Sequence, residues 1–166
     1  MTLLVRPAQA RDDDAIWGII GPTIRAGETY ALPRDMSRTD ALSYWKSPDH
    51  EVFVAERVGE GVSAVLGTYY MRANQRGGGS HVANCGYMTA QEASGQGVAR
   101  TMCAHSLEHA RARGFRAMQF NFVVGSNERA IALWQSFGFA IVGRLAEAFE
   151  HPRLGPVDAV VMYRML

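Results

Sequence analysis

The sequence is poor in cysteine: Cys85 and Cys103 are the only two in 166 residues. Neither belongs to a CxxC pair or sits beside a His or Cys cluster, which excludes a disulfide scaffold and the usual structural zinc sites. No metal is expected, and the two thiols read as buried and free. No apolar run reaches the 18 residues a membrane helix needs. The N-terminus MTLLVRPAQARDDD puts an arginine and three acids where a signal peptide keeps its apolar core, so a cytoplasmic location is expected. Charge of one sign is also missing: 17 Lys and Arg face 16 Asp and Glu, which gives no reason to expect a nucleic-acid or membrane partner. Repeats, linkers and low-complexity segments are absent, and the length fits one domain over residues 1–166.

What is present is 48% hydrophobic and 20% charged, patterned for alternating strands and helices. Residues 3–6 (LLVR) read as a strand stopped by Pro7, and the acidic run 12–14 favours a helix start, with the helix reaching about Ile24. A second helix is expected over Arg38–Trp45, with Ser37 and Thr39 as competing caps and Pro48 beyond it. VFVAERV and VSAVLGTYYMRA lie at hairpin spacing about residues 59–61, and HVANCGYMT follows the glycine-rich NQRGGGS as a third antiparallel strand. From Gln96 to Arg113, Val98, Met102, Cys103, Ser106, Leu107 and Ala110 recur at spacings of three and four, and Gly114 supplies the stop. FRAMQFNFVV then reads as a strand and residues 127–137 as a helix ended by Gly138. FAIVGRL and DAVVMYRML complete the chain as strands, the last an apolar edge through which a homodimer is expected.

The chemistry concentrates in Ser94-Gly95-Gln96-Gly97-Val98-Ala99, between the third strand of the meander and the best-defined helix. Glycines there let the backbone approach a ligand, and a helix N-terminus offers unpaired N–H groups to a pyrophosphate. A glycine-rich turn without a ligand has the same appearance. No GK[ST] follows, so it is not a P-loop, and the preceding antiparallel strand does not suit a dinucleotide fingerprint.

Gly97 and Ala99 fit the pyrophosphate motif of the GNAT acetyltransferase superfamily, and Asn127-Glu128-Arg129-Ala130-Ile131-Ala132-Leu133-Trp134-Gln135-Ser136-Phe137-Gly138-Phe139 resembles that family's NxxAxxLYxxxGF helix. With the strand order, the resemblance covers essentially the whole chain. It implies a GNAT fold, α/β, whose central mixed and mostly antiparallel twisted sheet has about seven strands, helices on both faces, and a splay between strands four and five. It implies acetyl-CoA as cosubstrate, with pyrophosphate on the amides of residues 94–99, pantetheine along Tyr87, Met88 and Thr89, an oxyanion donor near Met88 or Thr89, and Asn127 on the far side. Two positions depart from the pattern. Ser94 stands where Arg or Gln is usual, and Trp134 replaces a tyrosine that often protonates the leaving thiolate; an indole N–H is no acid.

The local wording HVANCGYM, QFNFVV and VDAVV resembles the phosphinothricin and azetidine-2-carboxylate branch, which implies a small amino-acid-like amine as acceptor. Asn84 and Asn121 each occupy mid-strand positions where an apolar residue is easier to bury, so their amides are candidates to hold the acceptor or to satisfy neighbouring backbone. Glu28, near Thr29 and Tyr30 after the first helix, is a candidate base or a solvated loop acid. His81, His151 and Asp158 are weaker candidates for the same pocket. Two alternatives stay open: acetylation of a protein N-terminus or lysine, and a non-catalytic acyl-CoA sensor, which the loss of the tyrosine at Trp134 keeps in view.

Overall fold

The computed structural model describes residues 2–59 and 61–166. Its strands are β1 (Thr2–Pro7), β2 (Glu51–Gly59), β3 (Val62–Ala73), β4 (Val82–Thr89), β5 (Ala117–Val124), β6 (Ala140–His151) and β7 (Gly155–Met165); its helices are α1 (Asp13–Ala26), α2 (Arg38–Trp45), α3 (Val98–Ala112) and α4 (Glu128–Ser136). The strands form one sheet in the order β1-β2-β3-β4-β5-β7-β6. All neighbours are antiparallel except β4 and β5.

Alternation along β3 shows how the helices cover both faces. Tyr69 sends its hydroxyl to His105 of α3 (2.7 Å), while Tyr70 packs edge-on against Trp45 of α2 (4.9 Å between ring centres). On the α1–α2 face, Ile16, Ile20, Ile24 and Trp45 are buried; on the other, Val98, Met102, Cys103 and Leu107 are. Gly67 of β3 brings sheet and α3 together, since a Cβ there would stand 2.7 Å from Val98 and 2.9 Å from Met102.

Helix α1 runs on to Ala26, past Ile24, and stops at Gly27, whose φ of 66° is left-handed. Ser37 wins the competition to cap α2, its Oγ accepting from Asp40 N–H at 3.1 Å. The last two strands are longer than their apolar runs, because β6 continues through polar residues to His151 and pairs with β7 up to Gly155. β7 is also not an edge: it lies between β5 and β6, so the free edge at this end is β6. The apolar run of residues 159–162 in β7 belongs to a strand flanked on both sides, whereas the true edge is mostly exposed.

Candidate active site

Strands β4 and β5 pair only through Val82–Ala117 and Ala83–Met118 and then diverge, so the backbone of β4 beyond Ala83 has an unpaired side. Strand alternation decides which groups face that gap. Asn74 N–H donates to Val82 O (2.7 Å) and Ala90 N–H to Leu66 O (2.8 Å), so the even-numbered residues of β4 turn their backbone to β3. Cys85, Tyr87 and Thr89 therefore turn theirs to the gap. This corrects the expectation for Met88: its backbone belongs to the β3 ladder, and the backbone groups open to the gap are those of Tyr87 and Thr89.

Two hollows meet in the gap. One, about 600 Å³, lies between the start of α3 and α4; the other, about 540 Å³, lies under the segment joining α1 to α2. Tyr87, Thr89, Ser94, Asn127, Ala130 and Trp134 line both.

The first hollow is floored by the glycine loop. Gly95 (φ 79°) and Gly97 (φ 81°) adopt left-handed backbone that aims successive N–H groups outward, and Gly97 is the N-cap of α3. Not every amide of 94–99 is available, since Ser94 N–H donates to Gln91 O and Gln96 N–H to Ala93 O, both at 3.2 Å. The Gln96 side chain also faces away, bonded to Arg57 and to Glu92 O. Among the described residues, Gly95, Gly97, Val98, Ala99 and Arg100 keep amides without a backbone partner, a cradle suited to a pyrophosphate. Opposite it, Asn127 caps α4 by accepting from Ala130 N–H (3.4 Å) and faces both hollows. Arg129 donates to Ser94 Oγ at 3.0 Å, bringing a cation to the position that lacks the usual Arg or Gln. The residue motif carried this arginine in plain view, but its placement against Ser94 is a tertiary fact.

The second hollow is built from side chains. Asn84 is buried, and its Nδ2 donates to Gln119 O (2.8 Å), taking the place of the ladder bond lost where β4 and β5 separate. Among the described residues its Oδ1 forms no hydrogen bond, and Asn84 lines this hollow. Asn121 is pushed outward by a bulge between Phe120 and Val123 and sits in a chain of amides, accepting from Gln119 Nε2 (2.9 Å) and donating to Asn74 Oδ1 (2.7 Å). Arg72, directly opposite Asn84 in the register, places a guanidinium in the same hollow, 3.7 Å from the exposed Asp49. Sequence reading passed over it, because a lone strand arginine carries no signal until its strand partner is known.

The roof is the segment between α1 and α2. Arg25 and Arg34 exchange bonds to each other's carbonyls (2.6 and 2.8 Å), and Tyr30 donates to Tyr87 O (2.9 Å) across the cleft. Glu28 lies outside the lining residues and is paired with Arg153 of the β6–β7 turn at 2.8 Å. His81 precedes β4; His151 Nδ1 accepts from the amides of Arg153 and Leu154, and Asp158 accepts from Glu147 N–H, so the last two hold a turn and a strand pair together. Burial pushes the phenols of Tyr30, Tyr70 and Tyr87 upward, and pushes the Cys103 thiol up to about 12. Cys85 and Cys103 are free and buried, inert as nucleophiles. Trp134 packs at 4.9 Å from Tyr87 and 5.1 Å from Phe120.

Residues 22–139 match the profile of the acetyltransferase (GNAT) family. The chain belongs to that family. A GCN5-related N-acetyltransferase of Kribbella flavida is 40% identical, covers 99% of this chain and 98% of its own, and superposes with a TM-score of 0.91. The N-acetyltransferase aca1 of Schizosaccharomyces pombe is 25% identical over 139 residues, 75% of this chain and 66% of that protein, so the chain spans just under two thirds of that relative. A phosphinothricin acetyltransferase of Sinorhizobium meliloti, solved in complex with AcCoA, shares the GNAT fold at 23% identity with a TM-score of 0.84, covering 100% of this chain and 89% of its own. In this GNAT chain, the two hollows that meet at the split between β4 and β5 share lining residues with the start of α3.

Proposed function

We propose that this chain transfers the acetyl group of acetyl-CoA to the amine of a small, amino-acid-like molecule by direct attack of the neutral amine on the thioester. The observation that carries this reading is the continuity of the two hollows: among the described residues, five unpartnered amides stand at one end, a roofed chamber with one cation at the other, and the unpaired edge of β4 between them. Bound acetyl-CoA supplies an activated acyl carbon; the chain supplies position, which in a direct transfer is most of the catalysis. The amides of Gly95 and residues 97–100, with Arg129 and Asn127, suit a pyrophosphate. The Tyr87 and Thr89 N–H groups suit the negative charge that develops on the acyl oxygen. Arg72 suits an acceptor carboxylate, and the Asn84 Oδ1 suits its amine.

A small acceptor is favoured over a protein because the roof crosses the cleft and is tied to β4 through Tyr30. Homodimer formation is part of the proposal through β6, the exposed edge, where Val142 is 61% accessible. A cytoplasmic location is part of the same proposal, and the two free buried thiols support it.

Trp134 supports a second reading, an acyl-CoA sensor, because no acid stands at that position. Acetyl-CoA-dependent thiol release against a panel of free amino acids, peptides and amine-bearing toxins separates the readings. Saturable release with free amino acids or their analogues is expected. Release only with peptides moves the acceptor to proteins, and tight binding of acetyl-CoA without release supports the sensor.

A further inference from the structure

Four tyrosines line the chamber under the roof, and two of them are committed in ways that single out the remaining pair. Tyr30 spends its proton on Tyr87 O. Tyr87 is directed away: Ser106 Oγ donates to Cys103 O (2.8 Å), so the Tyr87 hydroxyl, 2.7 Å from Ser106 Oγ, must be the donor in that bond. Tyr70 and Tyr44 remain, with hydroxyl oxygens 3.4 Å apart and either able to donate. That separation is longer than a settled hydrogen bond, as catalytic contacts often are before substrate binds.

The placement of this pair is fixed by packing. The Tyr70 ring lies across Gly86 so closely that a Cβ there would stand 2.6 Å from Cε1 and 2.9 Å from the hydroxyl oxygen, so the phenol head rests on the strand that borders the split. His50 stacks on the same ring (4.0 Å, 11°), itself held by a bond from Nδ1 to Trp45 O at 2.9 Å, and Trp45 packs edge-on. Tyr70 is 6% accessible and Tyr44 is 38% accessible, so the two hydroxyls run from the chamber wall to solvent. Asp, Glu, His and Lys are not among the described residues lining the chamber, so a proton leaving an acceptor there meets hydroxyls and amides.

We propose that Tyr70 and Tyr44 relay the acceptor's ammonium proton to solvent. The proposal rests on the acetyl-transfer reading above. The ammonium N–H bond breaks as the proton passes to Tyr70 Oη; Tyr70 gives its own proton to Tyr44 Oη, and Tyr44 gives its own to water, leaving both phenols unchanged. The neutral amine then forms the N–C bond to the acetyl carbon, and the C–S bond breaks with its electron pair on sulfur. The nitrogen loses a second proton by the same route as the amide forms, and the thiolate takes one from solvent, so one proton is released per turnover. Because burial raises the Tyr70 phenol, it passes a proton without ever holding phenolate charge.

The test is Tyr70→Phe, which keeps the ring on Gly86 and His50 and removes only the hydroxyl, with Tyr44→Phe as the second variant. Each is assayed by thiol release with an amino acid that the wild type acetylates and with that amino acid's methyl ester, whose amine is less basic and needs less deprotonation. Expected is a loss of kcat/KM of about 10- to 100-fold with the amino acid and under about threefold with the ester for Tyr70→Phe, and the same order at smaller size for Tyr44→Phe. Equal losses with both acceptors, or no loss with either, overturn the relay. Absence of release by the wild type with every amine overturns the acetyl-transfer reading itself.

Discussion

At the α3 end of the cleft the polar groups left open among the described residues are five backbone amides from one turn, whereas under the roof they are side chains drawn from α2, β3, β4 and β5. The first end depends on two left-handed glycines and on the helix that follows them; the second depends on strand register, a bulge in β5 and a ring seated on a glycine. Backbone amides recognise a group common to every acetyl-CoA, so their arrangement tolerates side-chain change. Side chains recognise what is particular to an acceptor, so single substitutions there should be felt in turnover.

The comparison can be broken from either side. The largest effect is expected at the fork: Asn84→Ala removes the donor to Gln119 O and the Oδ1 together, and turnover should fall on the order of 10- to 100-fold while acetyl-CoA affinity by calorimetry changes little. Asn121→Ala should fall less, since Asn121 is itself exposed and water can reach the amides it leaves. Turnover unmoved in both would make the amide chain purely architectural.

At the other end, Gly67→Ala drives a methyl group into Val98 and Met102, so about 1–3 kcal/mol of stability should be lost in denaturant titration. The displaced start of α3 should raise the KM for acetyl-CoA and spare the KM for acceptor.

The smallest effect concerns pH. Burial first, against the pull of Asp49 and the Trp45 carbonyl, lowers His50 below its ordinary value of 6.5. The fold therefore favours neutral His50; that contribution is complete above 6.5 and is lost as pH falls through the lower folded value. Acceptor KM should rise a few-fold on that acid side as the stack on Tyr70 loosens, with acetyl-CoA KM unchanged over the same range.

The same division explains what could be read from the sequence. Glycines at 95 and 97, the 3.6-residue periodicity of α3 and the N-cap Asn127 are local signals, and each appears in the fold where local chemistry puts it. Met88, Gln96 and Glu28 show the limit. Which face of β4 a backbone group takes is set by pairing with β3, which of six consecutive amides stay free is set by two turn bonds, and Glu28 is taken by Arg153 from 125 positions away. Arg72, Arg129 and the Tyr44–Tyr70 pair were illegible for the same reason: each acquires meaning only from a partner distant in sequence. The edge strand was misjudged because the apolar run of residues 159–162 marks a strand flanked on both sides, which β7 is and β6 is not.

The most direct test of this two-ended cleft is a bisubstrate kinetic measurement on Gly97→Ala and Arg72→Gln. Gly97 takes φ 81°, where an alanine costs about 1–2 kcal/mol, and its cradle should lose roughly tenfold in KM for acetyl-CoA with the acceptor KM preserved. Arg72→Gln removes the one guanidinium that lines the proposed acceptor chamber among the described residues, and should raise the acceptor KM about 10- to 100-fold with the acetyl-CoA KM preserved. Both KM values moving together in either variant would contradict the division of the cleft.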